Sequence, residues 1–286
     1  MEFKLHSLEK KWILYDVGNS AFTLLVSTII PIYFNNLADN AGISSINYLA
    51  YWGYATSAAT IIVAILGPTL GTIADLKGFK KKIFFISLLF GAISCVILGF
   101  LSSWIWFLLL FVLAKAAYSL SLVIYDSMLT DVSSAERMDE VSAHGYAWGY
   151  IGSCIPFVLS LVLILFYETL GISMQTAMSG AFVLIAVWWL ILSLPLLTSY
   201  QQIYYIEKKD HPILSSFHRL GKIFPELAAN KKILFFLIAF FFYIDGVYTI
   251  IDMATAYGTA LGLDTTGLLL ALLLTQIVAF PAALFF

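Results

Sequence analysis

Four aspartates, one lysine, one asparagine and two tyrosines stand inside stretches that are otherwise apolar. They are Asp16 and Asn19; Lys115, Tyr118 and Asp126; and Asp245, Tyr248 and Asp252. A carboxyl group withdrawn from water can take up and release a proton within the working pH range. An ammonium in the same setting binds an anionic group or neutralises an acid. The spacing adds to this. Asp16, Ser20, Thr23 and Ser27 recur at helical intervals, as do Lys115, Tyr118, Ser119 and Asp126, and again Asp245, Tyr248, Thr249 and Asp252. Three such stripes facing one another would line an aqueous cavity; the alternative is a static buried pair that ties helices together. The chemistry they fit is reversible binding of protons and small polar solutes. HExxH, GxSxG and GxxxxGK[ST] are all absent, so no zinc-protease, serine-hydrolase or phosphate-loop word points to an enzyme. No cofactor and no metal is expected.

The chain that must position these groups has 286 residues, of which 61% are hydrophobic and 11% charged. Soluble domains carry about a quarter charged residues, so this composition belongs to a protein of the lipid bilayer. The formal net charge of −2 gives no reason to expect nucleic acid as a partner. Cys95 and Cys154 both fall in apolar runs and read as packing residues. The charged N-terminus is followed by an apolar run of roughly 25 residues, too long for a signal peptide, and reads as a retained first span.

A helix needs about 20 mostly apolar residues to cross the hydrocarbon. Eight stretches qualify: 12–37, 48–73, 83–102, 104–128, 142–167, 175–198, 233–257 and 266–286. Helices are the expected element, because lipid cannot satisfy an open strand. Of the 15 Lys and Arg residues, all but Lys115 fall before span 1 or in alternate loops: 73–82, around Arg137, and 199–232. The positive-inside rule then places the N-terminus and every basic loop in the cytoplasm. Residues 199–232, with Pro212, Pro225 and most of the remaining basic residues, read as a partly helical cytoplasmic linker. It separates a six-helix unit at 1–198 from two further helices at 233–286. Gly145, Gly149, Gly152 and Ser153 form a ridge of small residues suited to close helix packing.

The turn after the second span reads GTIADLKGFKKK. Its Gly71, Asp75, Gly78, Lys80 and Lys81 resemble the G-x-x-x-D-R/K-x-G-x-R/K-R/K signature of the major facilitator superfamily. Leu76 stands where that signature has a basic residue. In physical terms Gly71 would let the helix end approach a neighbour, Asp75 would accept backbone N–H groups, Gly78 would supply a tight turn, and the lysines would sit on the cytoplasmic surface. Four longer stretches, KKWILYDVGNSAFTLLVSTIIPIYF, YWGYATSAATIIVAILGPTLGTIAD, VIYDSMLTDVSSAERMDEVSAHGYAWGYIGS and FFFYIDGVYTIIDMATAYGTALGL, resemble the vacuole-effluxer-like branch of that superfamily.

The resemblance implies an all-α integral membrane bundle whose polar spans 1, 4 and 7 line a central cavity. It implies a secondary transporter of a small polar solute, with amino acids as the solute class; the aspartates within apolar spans, with Asp16, Asp245 or Asp252 as carrier, make protons the expected coupling ion. The 71–82 turn would act as a conformational latch. The membrane would be the plasma membrane in a bacterium, and the vacuole or another endomembrane in a fungus. Full members have twelve spans in two six-helix halves. This sequence therefore reads as one complete half plus two helices of the other, a truncated product or one partner of a split pair, with the missing helices supplied in trans. A non-transporting partner or sensor descended from a transporter is the competing expectation.

Overall fold

The computed structural model describes residues 4–207, 221–222, 225 and 227–285. Among them, eight helical segments are long and apolar enough to cross a membrane, and β-structure is limited to one bridge between Leu76 and Ile206. Each expected span is present. The first is formed by α1 (Ser7–Ser27) and α2 (Ile29–Asn40) in succession. It is followed by α3 (Ser45–Ala74), α4 (Lys80–Leu98), α5 (Trp104–Val132), α6 (Met138–Leu165), α7 (Met174–Ser199), α8 (Lys231–Ala260) and α9 (Thr265–Phe285). The expected linker at 199–232 lies largely outside the described residues, including Lys208, Lys209, Pro212 and Arg219.

The break in the first span follows from one residue. Pro31 has no N–H, so the carbonyl four residues earlier, that of Ser27, has no helical donor. The chain departs from helical geometry at Thr28 (φ −127°, ψ −78°), whose N–H turns to the Leu25 carbonyl. The Leu24 carbonyl is met instead by the Ser27 and Thr28 hydroxyls. Pro68, Pro156, Pro195 and Pro281 lie inside helices that continue past them.

The first span occupies the centre. One side of α1 packs on α6 and another on α7; α5 packs on α3 and α4, and α4 also reaches α7. The α1–α6 contact is close because of the small-residue ridge. A Cβ added at Gly145 would lie 3.0 Å from an Asp16 carboxylate oxygen, one at Gly149 would lie 2.6 Å from Ser20 Oγ, and one at Gly152 would lie 2.4 Å from Val17 Cγ1. Of the last two helices, α8 touches α1, α2 and α3, and α9 leans on α6. Their burial is confined to a few residues: Thr255, Ala256 and Gly258 in α8, and Leu269 in α9.

One end of the bundle gathers the basic residues. Lys11 reaches Ser199 Oγ at 2.5 Å, and Arg137 grips the buried Glu9 carboxylate at 2.7 and 2.9 Å while donating to the Lys4 carbonyl. Lys77 pairs with Glu207 at 3.0 Å at the same end.

Candidate functional site

Lys115 on α5 and Asp252 on α8 form an ion pair, with side chains 12% and 17% exposed. At 1.5 Å per residue Lys115 lies about 16 Å along α5 from Trp104, and Asp252 about 12 Å along α8 from Ala260. The pair therefore sits well inside the bundle, in the part farther from the basic end. Two more bonds fasten α8 at this level. The fully buried Trp52 of α3 donates its indole N–H to the Asp252 carbonyl at 2.8 Å. Trp52 is itself held by stacking on Phe111, with ring centroids 4.5 Å apart. The Thr255 hydroxyl donates to the Ser27 carbonyl at the break in the first span.

A second polar group lies nearer the basic end. Asn19 donates to Asp16 Oδ1 at 3.1 Å, and the Tyr118 hydroxyl donates to Asn19 Oδ1 at 3.4 Å. Tyr118 also shares a hydrogen bond with Thr23. Helical spacing places Asp16, Asn19 and Thr23 on one face of α1. The ring of Tyr118 is wedged between Phe22 and Trp189, at 5.0 and 5.7 Å. Tyr118 follows Lys115 by one helical turn on α5, so this network and the ion pair share a wall of α5.

The remaining candidates lie at the surface of the bundle. Asp126, Asp245 and Tyr248 are exposed. Asp126 lies within electrostatic reach of both Asp16 and Tyr248. The structure thus brings Asp16, Asn19 and Tyr118 into one bonded cluster, joins Lys115 to Asp252, and leaves Asp245 on an exposed part of α8. From Asp252 toward its lysine-bearing end, α8 buries no residue. Toward the basic end Asp16 and Asn19 are buried, while Asp126, Asp245 and Tyr248 are exposed.

The 71–82 turn corrects two expectations, those for Lys80 and Gly71. Lys80 is 3% exposed instead of lying at the surface: it pairs with Asp131 at 2.9 Å and donates to the Ser127 carbonyl at 3.2 Å. A buried ammonium needs a counter-charge, and Asp131 at the end of α5 supplies it. Gly71 makes no close approach; nothing lies within 4 Å of a Cβ built there, and it borders a groove of about 490 Å³ lined also by Gly67, Pro68, Thr72, Val123 and Ser127. Asp75 is exposed, and its main-chain carbonyl accepts the Ile206 N–H at 2.8 Å. Gly78 does supply the turn, with φ +77°. Lys81 is exposed.

The turn is strapped by the segment after α7. Lys77 N–H donates to the Ile206 carbonyl at 3.1 Å, and Gln202 bridges the Gly78 N–H and the Ala74 carbonyl, each at 3.0 Å. Leu76 is 2% exposed beneath this strap, which accounts for an apolar residue where the signature has a charge. Glu9, Trp52, Asp131 and Thr255 were not legible as site residues. Glu9 and Asp131 stand next to basic loops and look like surface charges; only their partners, Arg137 and Lys80, reveal them as buried.

Comparison with known proteins matches this architecture. The sequence profile of the family described as "Vacuole effluxer Atg22 like" matches residues 7–135 and 130–286. An "Uncharacterized MFS-type transporter YxiO" of Bacillus subtilis (strain 168) is 40% identical over 283 residues, which is 97% of this chain and 66% of that protein. The chain thus spans just under two thirds of that relative's length. With its eight apolar spans, its signature turn and these matches, the chain belongs to the vacuole effluxer Atg22-like family, a branch of the major-facilitator type.

Proposed function

We propose that this chain forms the larger part of a secondary transporter that moves a small polar solute, of the amino-acid class, by alternating access. The observation that carries the reading is the Lys115–Asp252 pair, which bridges two helices deep in the bundle, with Asp126, Asp245 and Tyr248 exposed on its basic-end side. A buried pair that only stabilised the fold would gain little over apolar packing. One that must part and re-form is useful as a gate. With the basic end in the cytoplasm, the conformer described is closed outward and open inward. When the outer side opens, Lys115 loses Asp252 and becomes the binding group for an anionic part of the solute. Asp16, Asp245 and Asp252 are the proton carriers in this scheme, and the 71–82 turn, with Gly71, Asp75, Gly78, Lys80 and Lys81, is the latch at the inner face. Helices equivalent to the uncovered third of the relative complete the cavity, in the same chain or in trans.

The test is uptake of radiolabelled amino acids into proteoliposomes holding the full-length protein, with and without an imposed pH gradient. Gradient-driven uptake is expected, and Asp16→Asn, Asp245→Asn and Asp252→Asn identify the carrier by uncoupling it. Wild-type uptake and coupling in all three variants would remove the aspartates from the scheme. No uptake of any tested solute would favour a non-transporting membrane partner.

A further inference from the structure

We infer that Pro31 and Thr255 are a matched pair, forming an uncharged clasp that holds the face opposite the basic loops closed. Pro31 strips the Ser27 carbonyl of its helical donor, and the Thr255 hydroxyl replaces that donor from another helix. The site is built for this. Ser27 is 6% exposed and Thr255 1%, so water does not compete for the carbonyl. The other carbonyl displaced by the break, that of Leu24, is satisfied within its own segment by the Ser27 and Thr28 hydroxyls. Ser27 is the one served from across the bundle. Ala256 is fully buried beside Thr255, and Gly258 follows, so small residues let α8 come close here. The Tyr48 hydroxyl donates to the Pro31 carbonyl at 2.9 Å and steadies the break from α3.

A buried carbonyl without a donor is costly, so the break in the first span and the seating of α8 favour each other. Opening this face must return the Ser27 carbonyl to water or leave it unpaired. The clasp therefore acts in parallel with Lys115–Asp252, but has no charge and is insensitive to salt. Thr255 is a positioning residue in this role, and Pro31 is what makes its hydroxyl necessary.

The inference rests on the alternating-access reading, so the experiment reads closure and not transport. The full-length protein, with Cys95→Ala and Cys154→Ala, carries Tyr248→Cys as a reporter on the exposed part of α8 beneath the clasp. A membrane-impermeant maleimide is applied to the face opposite the basic loops, in vesicles of known orientation. Thr255→Val is expected to raise labelling about threefold, the effect of one hydrogen bond inside a membrane bundle. Thr255→Ser, which keeps the hydroxyl, should label like the parent. Pro31→Ala, which restores the missing N–H, should raise labelling, and Pro31→Ala with Thr255→Val should raise it no further. Equal labelling of Thr255→Val and the parent, increased labelling of Thr255→Ser, or multiplicative effects in the double variant would each overturn the clasp. Lys115→Met separates the two levels: if it opens the face and Thr255→Val does not, the clasp alone fails. If neither changes labelling, the alternating-access reading fails and the clasp with it.

Discussion

Lys80 at the start of α4 and Asp131 at the end of α5 meet at 2.9 Å, with side chains 4% and 0% exposed. Asp131 also accepts from the Tyr200 hydroxyl and from the Ile203 and Tyr204 N–H groups at 3.0 and 2.8 Å. Burial, and then the carboxylate it donates to, hold the Tyr200 phenol far above its ordinary pKa, so it remains a donor at any physiological pH. One carboxylate thus joins α4, α5 and the segment that straps the signature turn.

Removing that carboxylate strands a buried ammonium. Asp131→Ala is expected to cost about 3–5 kcal/mol of stability, and Lys80→Met a similar amount for the converse reason. Tyr200→Phe, which removes one donor of four, is expected to cost about 1–2 kcal/mol. Reversible unfolding in detergent micelles measures all three. A loss below about 1 kcal/mol in Asp131→Ala would contradict the buried-hub description.

Leu76→Arg restores the charge usual in the signature, yet here it should harm. The side chain would enter a position 2% exposed beneath residues 200–207. A guanidinium cannot remain there unpaired, so the strap should lift. Limited chymotrypsin digestion would read this as faster cleavage after Tyr204 or Tyr205. Unchanged cleavage would mean that the strap tolerates a charge beneath it.

The glycines should divide sharply. Gly152→Leu drives a large side chain into Val17 across the α1–α6 contact, where even a Cβ would sit 2.4 Å from a methyl carbon. A loss of about 3 kcal/mol or more, or failure to accumulate, is expected. Gly71→Ala meets nothing within 4 Å and should be neutral or gain up to about 1 kcal/mol of helix propensity. Thermal unfolding monitored by circular dichroism compares the two.

The Lys115–Asp252 pair should respond to charge reversal as a pair. Lys115→Asp places two carboxylates together and is expected to lower uptake at least tenfold, a barrier change of about 1.4 kcal/mol or more. Lys115→Asp combined with Asp252→Lys should recover part of the loss. A swap no better than the single variant would show that the position of the lysine matters more than the pairing.

Much of this protein is legible in one sequence because the bilayer leaves few options. Lipid permits helices and excludes open strands, so eight apolar runs became eight spans with small shifts at their ends. The alternation of basic loops anticipated that the N-terminus, the 71–82 turn, Arg137 and the segment after α7 meet at one end. The glycine ridge at 145–152 was readable as close packing, since small residues at helical spacing serve little else. Polar residues inside apolar runs marked helices that meet through polar contacts, α1 with α5 and α5 with α8.

Pairing was not legible. Asp16, Asp126, Asp245 and Asp252 are alike in sequence, each an acid in an apolar run, and Lys115 could have met any of them. Which one it meets depends on how α5 and α8 cross, a relation between residues 137 positions apart. Lys80 looked like one surface lysine among four until Asp131 came under it. Local chemistry thus determined the elements, their ends and the break at Thr28, because backbone hydrogen bonding and lipid act within a segment. The tertiary structure alone decided which charges are buried and which carbonyl waits for a donor, because those depend on what another helix brings to the same point.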